Sequence, residues 1–293
     1  MQTTLLRKFR FALLLLVLAP LSAYAQREPP VERVRLESKL LGKAIDYSIL
    51  YPVNYRRAGN EEKKFPVVYL LHGLTGHHTN WIERTGVALY ATHHDLFLVM
   101  VEGEDGWYTD SATVPTDKFE SYILQELMPD VEKRFRVSNE RGGRAIAGLS
   151  MGGYGSLKFA FKFPNHFAFA ASMSGAFGPA TWTDSELKKL EFIRQSLLKT
   201  FGPSGSTTRA ANDLLKLTRE VSADGIKALP LIYLDCGTED IFFPGNRSYA
   251  DLLLERKIPH EFRQLPGNHS WPYWDQQIQA ILGLTSRNLT PPK

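Results

Sequence analysis

Five short, largely apolar runs recur along the chain and limit its fold more than any other feature of the sequence. They cover residues 66–71, 96–101, 145–149, 167–172 and 231–235. Runs of this length and composition are typical of strands that are buried on both faces of a parallel sheet. Amphipathic stretches separate the runs, and this alternation of strands and helices predicts a doubly wound, mostly parallel α/β sheet.

The segments outside these runs predict two additions to the sheet. Residues 31–38 and 44–51 are expected to be two strands that a turn at Gly42 joins, which would give the sheet an antiparallel N-terminal edge. Residues 175–229 interrupt the alternation with two amphipathic stretches, so we expect a small helical insertion over the carboxyl edge of the sheet. This insertion is either a partial lid or an ordinary pair of crossover helices.

One helical pattern contains a residue that does not suit a helix. Apolar residues repeat every four positions at Phe119, Ile123, Leu127, Val131 and Phe135. Pro129 falls inside the pattern, so a kink or a break is expected there.

The first 25 residues are expected to be absent from the mature protein. Basic residues, an apolar stretch and a small-residue cleavage site follow one another: Arg7, Lys8, Arg10, residues 11–21 and Ala23-Tyr24-Ala25. This is the pattern of a secretory signal peptide, and its apolar stretch is shorter than the roughly 20 residues of a membrane span. We expect a secreted or periplasmic protein without stable membrane insertion, which folds residues 26–293 as a single domain.

The net charge of the chain narrows the classes of partner that it can bind. The chain has 35 Lys and Arg against 31 Asp and Glu, a net charge of +4, and three of the basic residues lie in the expected signal peptide. The remainder is nearly neutral, so no nucleic-acid partner is expected.

Cys236 is the sole cysteine. An exported chain of this kind has no intrachain disulfide, and the position of Cys236 at the end of an apolar run predicts a buried thiol.

A G-x-S-x-G pattern directly after the third apolar run supplies a candidate nucleophile. Ser150 lies in Gly148-Leu149-Ser150-Met151-Gly152, and a helical pattern over residues 154–163 comes next. A serine on a sharp turn between a strand and a helix is a nucleophile elbow, in which glycines let backbone pass close to backbone. Because a serine hydroxyl is a poor nucleophile, a base from elsewhere in the chain must remove its proton.

Three histidines follow Ser150, and their places along the chain distinguish them. His166 comes after the helix that follows the elbow, on the far side from the nucleophile, and His260 begins the predicted last strand. His269 follows that strand in a loop at the carboxyl edge of the sheet, where the elbow also opens. We therefore predict His269 as the general base.

The acid that orients such a histidine is expected just after residues 231–235. Asp235 is still within the strand, which places it too early, whereas Glu239 and Asp240 both lie in the loop. Asp240 is preferred because the apolar residues 241–243 would anchor it against the core. Its role would be to hold one imidazole tautomer and to stabilise the imidazolium.

Two backbone amides are candidates for the oxyanion hole, which needs preorganised donors. Met151 follows the nucleophile, and Leu74 lies in a glycine-containing loop after an early strand. His72 beside it is expected to form structural hydrogen bonds. Aromatic side chains are expected to line part of the substrate pocket, and the candidates are Trp81, Trp107, Tyr108, Tyr154, Trp271 and Trp274.

Several segments together resemble one family. They are residues 70–76 with Trp81, residues 107–110, 148–153 and 236–240, and Gly267-Asn268-His269-Ser270-Trp271. These segments are similar to those of the Putative esterase family of α/β hydrolases, which includes esterase D (S-formylglutathione hydrolase), feruloyl and acetyl-xylan esterases and the mycolyltransferases. The likeness spans residues 40–284. It implies the α/β-hydrolase fold and the same candidate roles: nucleophile Ser150, acid Asp240, base His269, oxyanion hole Leu74 and Met151.

One segment departs from the family pattern. Members often have a turn rich in glycine and asparagine before the Trp-Tyr pair, and here the turn is Glu102-Gly103-Glu104-Asp105-Gly106. The added carboxylates would either disfavour anionic acyl groups or form a solvated turn.

Residues and resemblance together predict a secreted serine carboxylesterase that needs no cofactor and holds no metal. Its substrate would be a small-molecule or carbohydrate ester, and export favours carbohydrate or phenolic esters. An acyltransferase or a thioesterase of the same family is one alternative, and a non-catalytic binding protein on the same fold is another. The intact serine, acid and histidine argue against the binding protein. Nothing in the sequence indicates the oligomeric state.

Overall fold

A computed structural model describes residues 31–183 and 191–290 of the chain. The signal peptide predicted over residues 1–25 lies outside the described residues. Within the described ranges, no helix combines the length and the apolar character that a membrane span requires.

Eight strands form one sheet in the order β1-β2-β4-β3-β5-β6-β7-β8. In chain order they are β1 (Val31–Ser38), β2 (Lys43–Leu50), β3 (Val67–Leu71), β4 (Phe97–Val101), β5 (Arg144–Leu149), β6 (Phe169–Met173), β7 (Leu231–Gly237) and β8 (His260–Leu265). The β1–β2 and β2–β4 pairs are antiparallel, and all other pairs are parallel. The predicted mostly parallel sheet with an antiparallel N-terminal edge is confirmed.

Helices cover both faces of the sheet. The α-helices are α1 (Asn80–Arg84), α2 (Val87–Tyr90), α3 (Phe119–Tyr122), α4 (Met128–Arg134), α5 (Met151–Lys162), α6 (Glu191–Phe201), α7 (Thr207–Ala211), α8 (Leu214–Glu220), α9 (Ala223–Ala228), α10 (Phe243–Glu255) and α11 (Trp271–Asn288). Alternate residues of β3 face opposite layers. Tyr69 packs in one buried cluster with Leu157 of α5, and Leu70 packs in the other with Ile278 of α11.

The parallel register brings the carboxyl ends of six strands, β3 to β8, to one edge. Leu71 at the end of β3 pairs with Gly148 of β5, and Leu149 pairs with Met173 at the end of β6. Gly237, which ends β7, pairs with the last residue of β8. The loops after these strands therefore meet at a single edge, which is where ligands bind in open α/β sheets.

The helical pattern over residues 119–135 is interrupted by a wider turn. Between α3 and α4, Ile123–Leu127 form a π-helical segment, and Pro129 lies in the first turn of α4. Proline has no amide hydrogen, and its ring would clash with the carbonyl of Gln125 in a regular helix. The π turn relieves that clash, so the expected kink takes the form of a local widening of the helix.

Residues 175–229 contain four helices in their described part. The stretch over residues 208–221 forms both α7 and α8 because Asp213 caps α8 through its side chain, which accepts a hydrogen bond from the Lys216 amide. Ser206 caps α7 in the same way. That these helices are an insertion that acts as a partial lid stays a prediction.

Candidate active site

Ser150 lies on the turn between β5 and α5, in a strained backbone conformation. Its φ is 54° and its ψ is −116°, a combination that non-glycine residues rarely adopt. A Cβ at Gly148 would come within 2.4 Å of the Gly152 carbonyl oxygen, and one at Gly152 within 2.5 Å of the Leu71 carbonyl oxygen. Both positions therefore require glycine, which is the physical basis of the G-x-S-x-G pattern.

Neighbouring strands and loops hold this turn in place. The Ser150 amide donates to the Met173 carbonyl at 2.9 Å, and its own carbonyl accepts from the Tyr154 amide at 3.0 Å and the Ala176 amide at 3.1 Å. These hydrogen bonds stabilise a conformation that the local sequence would not adopt alone.

His269 and Asp240 continue a row of hydrogen bonds that starts at Ser150. His269 Nε2 lies 3.0 Å from Ser150 Oγ, and His269 Nδ1 lies 2.9 Å from Asp240 Oδ2. The Asp240 side chain is shielded from solvent, whereas that of His269 is 23% exposed. A base that touches the hydroxyl and is oriented by a buried carboxylate is the arrangement that activates serine.

The other histidines and the other loop acid lie outside this row. His166 packs against Phe163 and Phe167, and His260 Nδ1 lies 2.9 Å from the Ile258 carbonyl oxygen. Glu239 is exposed to solvent. Of the two loop carboxylates that the sequence left open, the structure brings only Asp240 to the histidine.

Hydrogen bonds keep Asp240 ionised despite its burial. Burial alone would raise the pKa of this carboxyl, but hydrogen bonds from His269 and from the Phe242 amide hold its pKa below the usual value. The Phe242 amide donates to Asp240 Oδ1 at 2.8 Å. A carboxylate with these partners can stabilise a positive charge on the imidazole.

Aromatic rings fix the orientation of the His269 imidazole. The Phe242 ring lies 5.1 Å from it and the Trp274 ring 4.9 Å, both edge to face. The loop before His269 is equally constrained, because a Cβ at Gly267, whose φ is 141°, would lie 2.5 Å from the Tyr273 ring. The imidazole is therefore positioned by packing as well as by hydrogen bonds.

Ser174 is a supporting residue that sequence reasoning missed. It is buried directly after β6 with a φ of 49°, and its amide donates to the Asp235 carbonyl at 2.8 Å. Its hydroxyl accepts from Trp274 Nε1 at 3.2 Å and helps to lower the pKa of Asp240. The only sequence signal for this role is its place at the carboxyl end of a buried strand.

The loop with Leu74 forms one wall beside the elbow. A Cβ at Gly73 would lie 2.8 Å from the Leu149 side chain, so the loop passes close to the serine turn. Thr75 has a φ of 64°, and its amide donates to Asp105 Oδ1 at 2.7 Å. Met151 is the first residue of α5, where the helix itself provides no acceptor for the amide.

Glu102 and Asp105 accept hydrogen bonds from backbone amides, and the half-exposed Glu104 pairs with Lys43; an effect of these carboxylates on anionic acyl groups stays a prediction. Glu102 is buried, and although burial raises its pKa, hydrogen bonds from His72 and from the His78 and Glu104 amides lower it to about 2. Asp105 holds the Thr75 amide. These carboxylates brace the loop before the active site, and His72 is the structural hydrogen-bonding residue expected from its position.

Ser150 and His269 open into a cavity of about 720 Å³, here called the serine cavity. Of the aromatic candidates, Trp107, Trp271 and Trp274 line it. Trp81, Tyr108 and Tyr154 are buried in the core and lie outside its lining. The hydroxyl of Tyr108 donates to the His72 carbonyl and that of Tyr154 to the Asn212 carbonyl, so both support neighbouring loops.

Four large hydrophobic lining residues outside the predicted motifs were not expected from the sequence. They are Trp182, Ile193, Ile241 and Phe242. They come from the segments after β6 and β7 and from α6, whose meeting point depends on tertiary packing. Within residues 31–183 and 191–290, no group of three or more His, Cys, Asp or Glu side chains is arranged to hold a metal ion.

An eight-stranded, mostly parallel sheet with a serine elbow at its carboxyl edge is the α/β-hydrolase fold, and it defines a serine hydrolase. The chain belongs to the Putative esterase family, whose model matches residues 38–285.

Comparison with individual proteins agrees with this assignment. The chain is 28% identical over 265 residues to Esterase Rv1288 of Mycobacterium tuberculosis, which covers 83% of this chain and 56% of that protein. It thus spans about half the length of that relative. The substrate-bound structure of the fluorophosphonate-binding serine hydrolase FphF of Staphylococcus aureus has a TM-score of 0.77 at 26% identity, and the match covers 88% of this chain and 98% of that one.

The structure of a ferulic acid esterase is also similar, with a TM-score of 0.74 at 25% identity over 90% of this chain and 99% of that one. The family, its named relatives and these structures are esterases and serine hydrolases, which favours a serine ester hydrolase over a non-catalytic binding protein.

Proposed function

We propose that this chain is a secreted serine carboxylesterase that hydrolyses carbohydrate or phenolic esters through an acyl-enzyme on Ser150. The hydrogen-bonded row Ser150–His269–Asp240 carries the proposal, because it supplies a nucleophile, a base and an orienting carboxylate at hydrogen-bond distances. A phenolic ester is consistent with the similar ferulic acid esterase structure. Export rests on the sequence of residues 1–25, and N-terminal sequencing of the exported protein, expected to begin near Gln26, checks it.

In the first half-reaction, His269 Nε2 takes the Ser150 proton as Oγ attacks the ester carbonyl carbon. The carbonyl oxygen then carries negative charge, which the amides of Leu74 and Met151 stabilise. The carbon–oxygen bond to the alcohol breaks, and His269 returns the proton to the departing alkoxide. Alcohol leaves, and the acyl group remains on Ser150.

In the second half-reaction, water replaces the alcohol. His269 takes a proton from the water as its oxygen attacks the acyl carbon, and the same two amides stabilise the second oxyanion. The bond to Ser150 Oγ breaks, the proton passes from His269 to Oγ, and the carboxylic acid is released. Asp240 holds the imidazole tautomer throughout and stabilises the imidazolium.

The test is hydrolysis of a panel of esters by wild type and Ser150→Ala. The panel contains p-nitrophenyl acetate, butyrate and octanoate, methyl ferulate and an acetylated sugar. Ser150→Ala is expected to lower kcat by about 10⁴-fold or more, because only the oxyanion hole and binding contribute without the nucleophile. Ser204→Ala, at an exposed loop serine, is the matched control and should retain full activity.

Two results would count against the proposal. One is folded wild-type protein that hydrolyses no ester of the panel faster than Ser150→Ala does. The other is good hydrolysis of p-nitrophenyl esters together with no activity on either methyl ferulate or the acetylated sugar, which would remove the proposed substrate class while leaving the serine mechanism intact.

A further inference from the structure

Lys158 is a buried lysine that the proposed hydrolysis does not use. It lies on α5, the helix that follows Ser150, and its side chain is fully shielded from solvent. Its Nζ donates to the Tyr108 carbonyl at 2.5 Å and to the Thr109 hydroxyl at 2.8 Å, and it lies 2.7 Å from Glu120 Oε2. An ammonium group has three donors, so these three acceptors satisfy it completely.

Two of the acceptors belong to a turn in a strained backbone conformation. Trp107 has a φ of 50° and Tyr108 a φ of 52°, and bulky residues rarely adopt the left-handed region. The Thr109 hydroxyl ties the turn together, since it donates to the Trp107 carbonyl at 2.9 Å and accepts from Lys158. A conformation of this kind persists only where its surroundings hold it, and Lys158 supplies two of the hydrogen bonds that do so.

The Trp107 side of the turn forms part of the serine cavity. The indole ring lines that cavity, and its Nε1 donates to the Ser196 hydroxyl of α6 at 2.8 Å. The ring also packs edge to face on the ring of Trp182, 6.1 Å away, which lines the same cavity. The position of the turn therefore determines where two aromatic walls of the cavity lie.

The Tyr108 side of the turn reaches the loop that carries the Leu74 amide. The Tyr108 hydroxyl donates to the His72 carbonyl at 2.8 Å. Its ring packs on α5 at Gly155, where a Cβ would lie 2.7 Å from the ring. Only Gly73 separates His72 from Leu74, and because peptide units are planar, fixing the His72 carbonyl limits where the Leu74 amide can point.

The ion pair with Glu120 does not by itself explain a lysine at this position. Buried ion pairs contribute little net stability, because desolvation of the two charges offsets their attraction. Lys162 also pairs with Glu120, at 2.6 Å, but its side chain is 19% exposed and it donates to Asn212. Both lysines of α5 thus serve the same carboxylate, and the difference between them is that Lys158 contacts the turn.

Lys158 must be protonated to hold all three acceptors. Burial lowers its pKa to about 8, although the charge of Glu120 opposes the shift. Burial would raise the pKa of Glu120, but the two lysines outweigh it and lower that pKa. The other titratable groups that face Lys158 are Lys162, Asp110, Tyr108 and Tyr154. Both tyrosines stay neutral, because burial raises their pKa well above the usual value.

We propose that Lys158 is a positioning residue for ester hydrolysis, which holds the Trp107–Tyr108 turn in the conformation that places the cavity wall and the loop with the Leu74 amide. The inference rests on the proposed acyl-enzyme mechanism, in which that amide stabilises the oxyanion. Without the ammonium group the Tyr108 carbonyl loses its partner, and the turn relaxes from its strained φ values. The Leu74 amide then leaves the place where the negative charge develops, and kcat falls.

The experiment removes the ammonium group and retains the length of the side chain. Lys158→Met is the test variant, and Lys158→Gln, which keeps an amide donor, is the second variant should the first not fold. Lys162→Met is the matched control, because it also takes one positive charge from Glu120 on the same helix. At pH 7, Lys158→Met should lower kcat on p-nitrophenyl acetate by about 10- to 100-fold, whereas Lys162→Met should keep it within about threefold of wild type.

A double-mutant cycle with Tyr108→Phe tests whether Lys158 acts through the turn. Tyr108→Phe keeps the ring and removes the hydrogen bond to the His72 carbonyl, so kcat should fall about tenfold. Once that link is lost, the double variant should lie within about threefold of the slower single variant, because both changes break one chain of contacts. Independent structural effects would instead multiply.

The pH profile of kcat is the second readout. Wild-type kcat should fall as pH rises through about 8, because Lys158 loses its proton and with it one of its three donors. Lys158→Met has no such proton and should not show this fall. Lys162→Met removes a like charge that lowers the pKa of Lys158, so its fall should move to higher pH.

Three results would overturn the inference. One is a Lys158 variant, folded by circular dichroism, whose kcat equals that of Lys162→Met. Another is a double variant in which the losses of Lys158→Met and Tyr108→Phe multiply. The third is an alkaline fall in kcat that Lys158→Met shares with wild type. Each result requires a wild type that hydrolyses p-nitrophenyl acetate through Ser150, so failure of the inference is distinct from failure of the proposed function.

Discussion

Asp235 and Asp240 come from the same strand and the loop that follows it, and both side chains are shielded from water, yet they ionise differently. Burial raises the pKa of Asp235 to about 7, and the hydrogen bond from Tyr273 offsets this only in part. Hydrogen bonds from His269 and from the Phe242 amide outweigh burial at Asp240 and lower its pKa. The number and charge of the donors, not the depth of burial, decide which carboxyl is ionised.

The surroundings of Asp235 explain its raised pKa. Oδ1 accepts from the Tyr273 hydroxyl at 3.0 Å, while Oδ2 has no hydrogen-bond partner among the described residues. A neutral carboxyl tolerates such a site far better than a carboxylate does. Asp235 thus supports the packing of Tyr273, whereas Asp240 is equipped to face a developing positive charge.

The largest expected effect comes from replacing the ionised member of this pair. Asp240→Asn should lower kcat on p-nitrophenyl acetate by about 10⁴-fold, because the amide cannot stabilise the imidazolium and favours the wrong tautomer. Asp235→Asn is the matched control and should keep kcat within about threefold of wild type, since it touches neither His269 nor Ser150. Similar losses in the two variants would show that the two carboxyls do not have separate roles.

The second largest expected effect is on the pH dependence of stability, and it comes from replacing Asp235. Because its pKa rises from 3.8 to about 7 on folding, the folded state holds a proton that the unfolded chain lacks between these values. The stabilisation that protonated Asp235 gives to the folded state is therefore lost as pH rises from about 4 to about 7, and it stays lost above that range. Between pH 5 and pH 8 the unfolding free energy of wild type should fall by about 3 kcal/mol more than that of Asp235→Asn, whose side chain is always neutral.

Urea unfolding of wild type and Asp235→Asn at both pH values measures this difference. Equal pH dependence in the two proteins would mean that Asp235 stays ionised in the folded state, and the contrast with Asp240 would then be wrong.

The smallest effect concerns Ser174, which lies between the two acids. Ser174→Ala removes the hydroxyl that helps to keep Asp240 ionised and accepts from Trp274, so kcat should fall roughly tenfold with KM unchanged. Ser174→Gly also lacks the hydroxyl but accepts the positive φ without strain. Steady-state kinetics should show the same loss in both variants, and a loss in the alanine variant alone would assign the effect to backbone strain.

Much of the fold could be predicted because its signals are local. The apolar runs mark five of the parallel strands, and the glycines around Ser150 reflect contacts that lie within a few residues along the chain. Local patterns predicted residues 208–221 less accurately, because the Asp213 cap divides one amphipathic stretch into two helices. They also predicted a simple kink near Pro129, where the structure has a π turn.

The site itself was only partly accessible from the sequence. Order along the chain was enough to favour Ser150, Asp240 and His269, but Glu239 remained an alternative until the structure placed it in solvent. Among the aromatic candidates, residue type did not separate Trp107 on the cavity wall from Tyr154 in the core. Trp182 and Phe242 were missed because neither carries a local pattern that predicts exposure to a cavity.

The sequence by itself determined the alternation of strands and helices, the serine turn and the order of the candidate residues, since these depend on neighbours in the chain. Only the tertiary structure decided which carboxylate meets His269 and which rings line the serine cavity. Ser150 and His269 lie 119 positions apart, and a contact over that separation exists only because the parallel register brings the carboxyl ends of the strands to one edge.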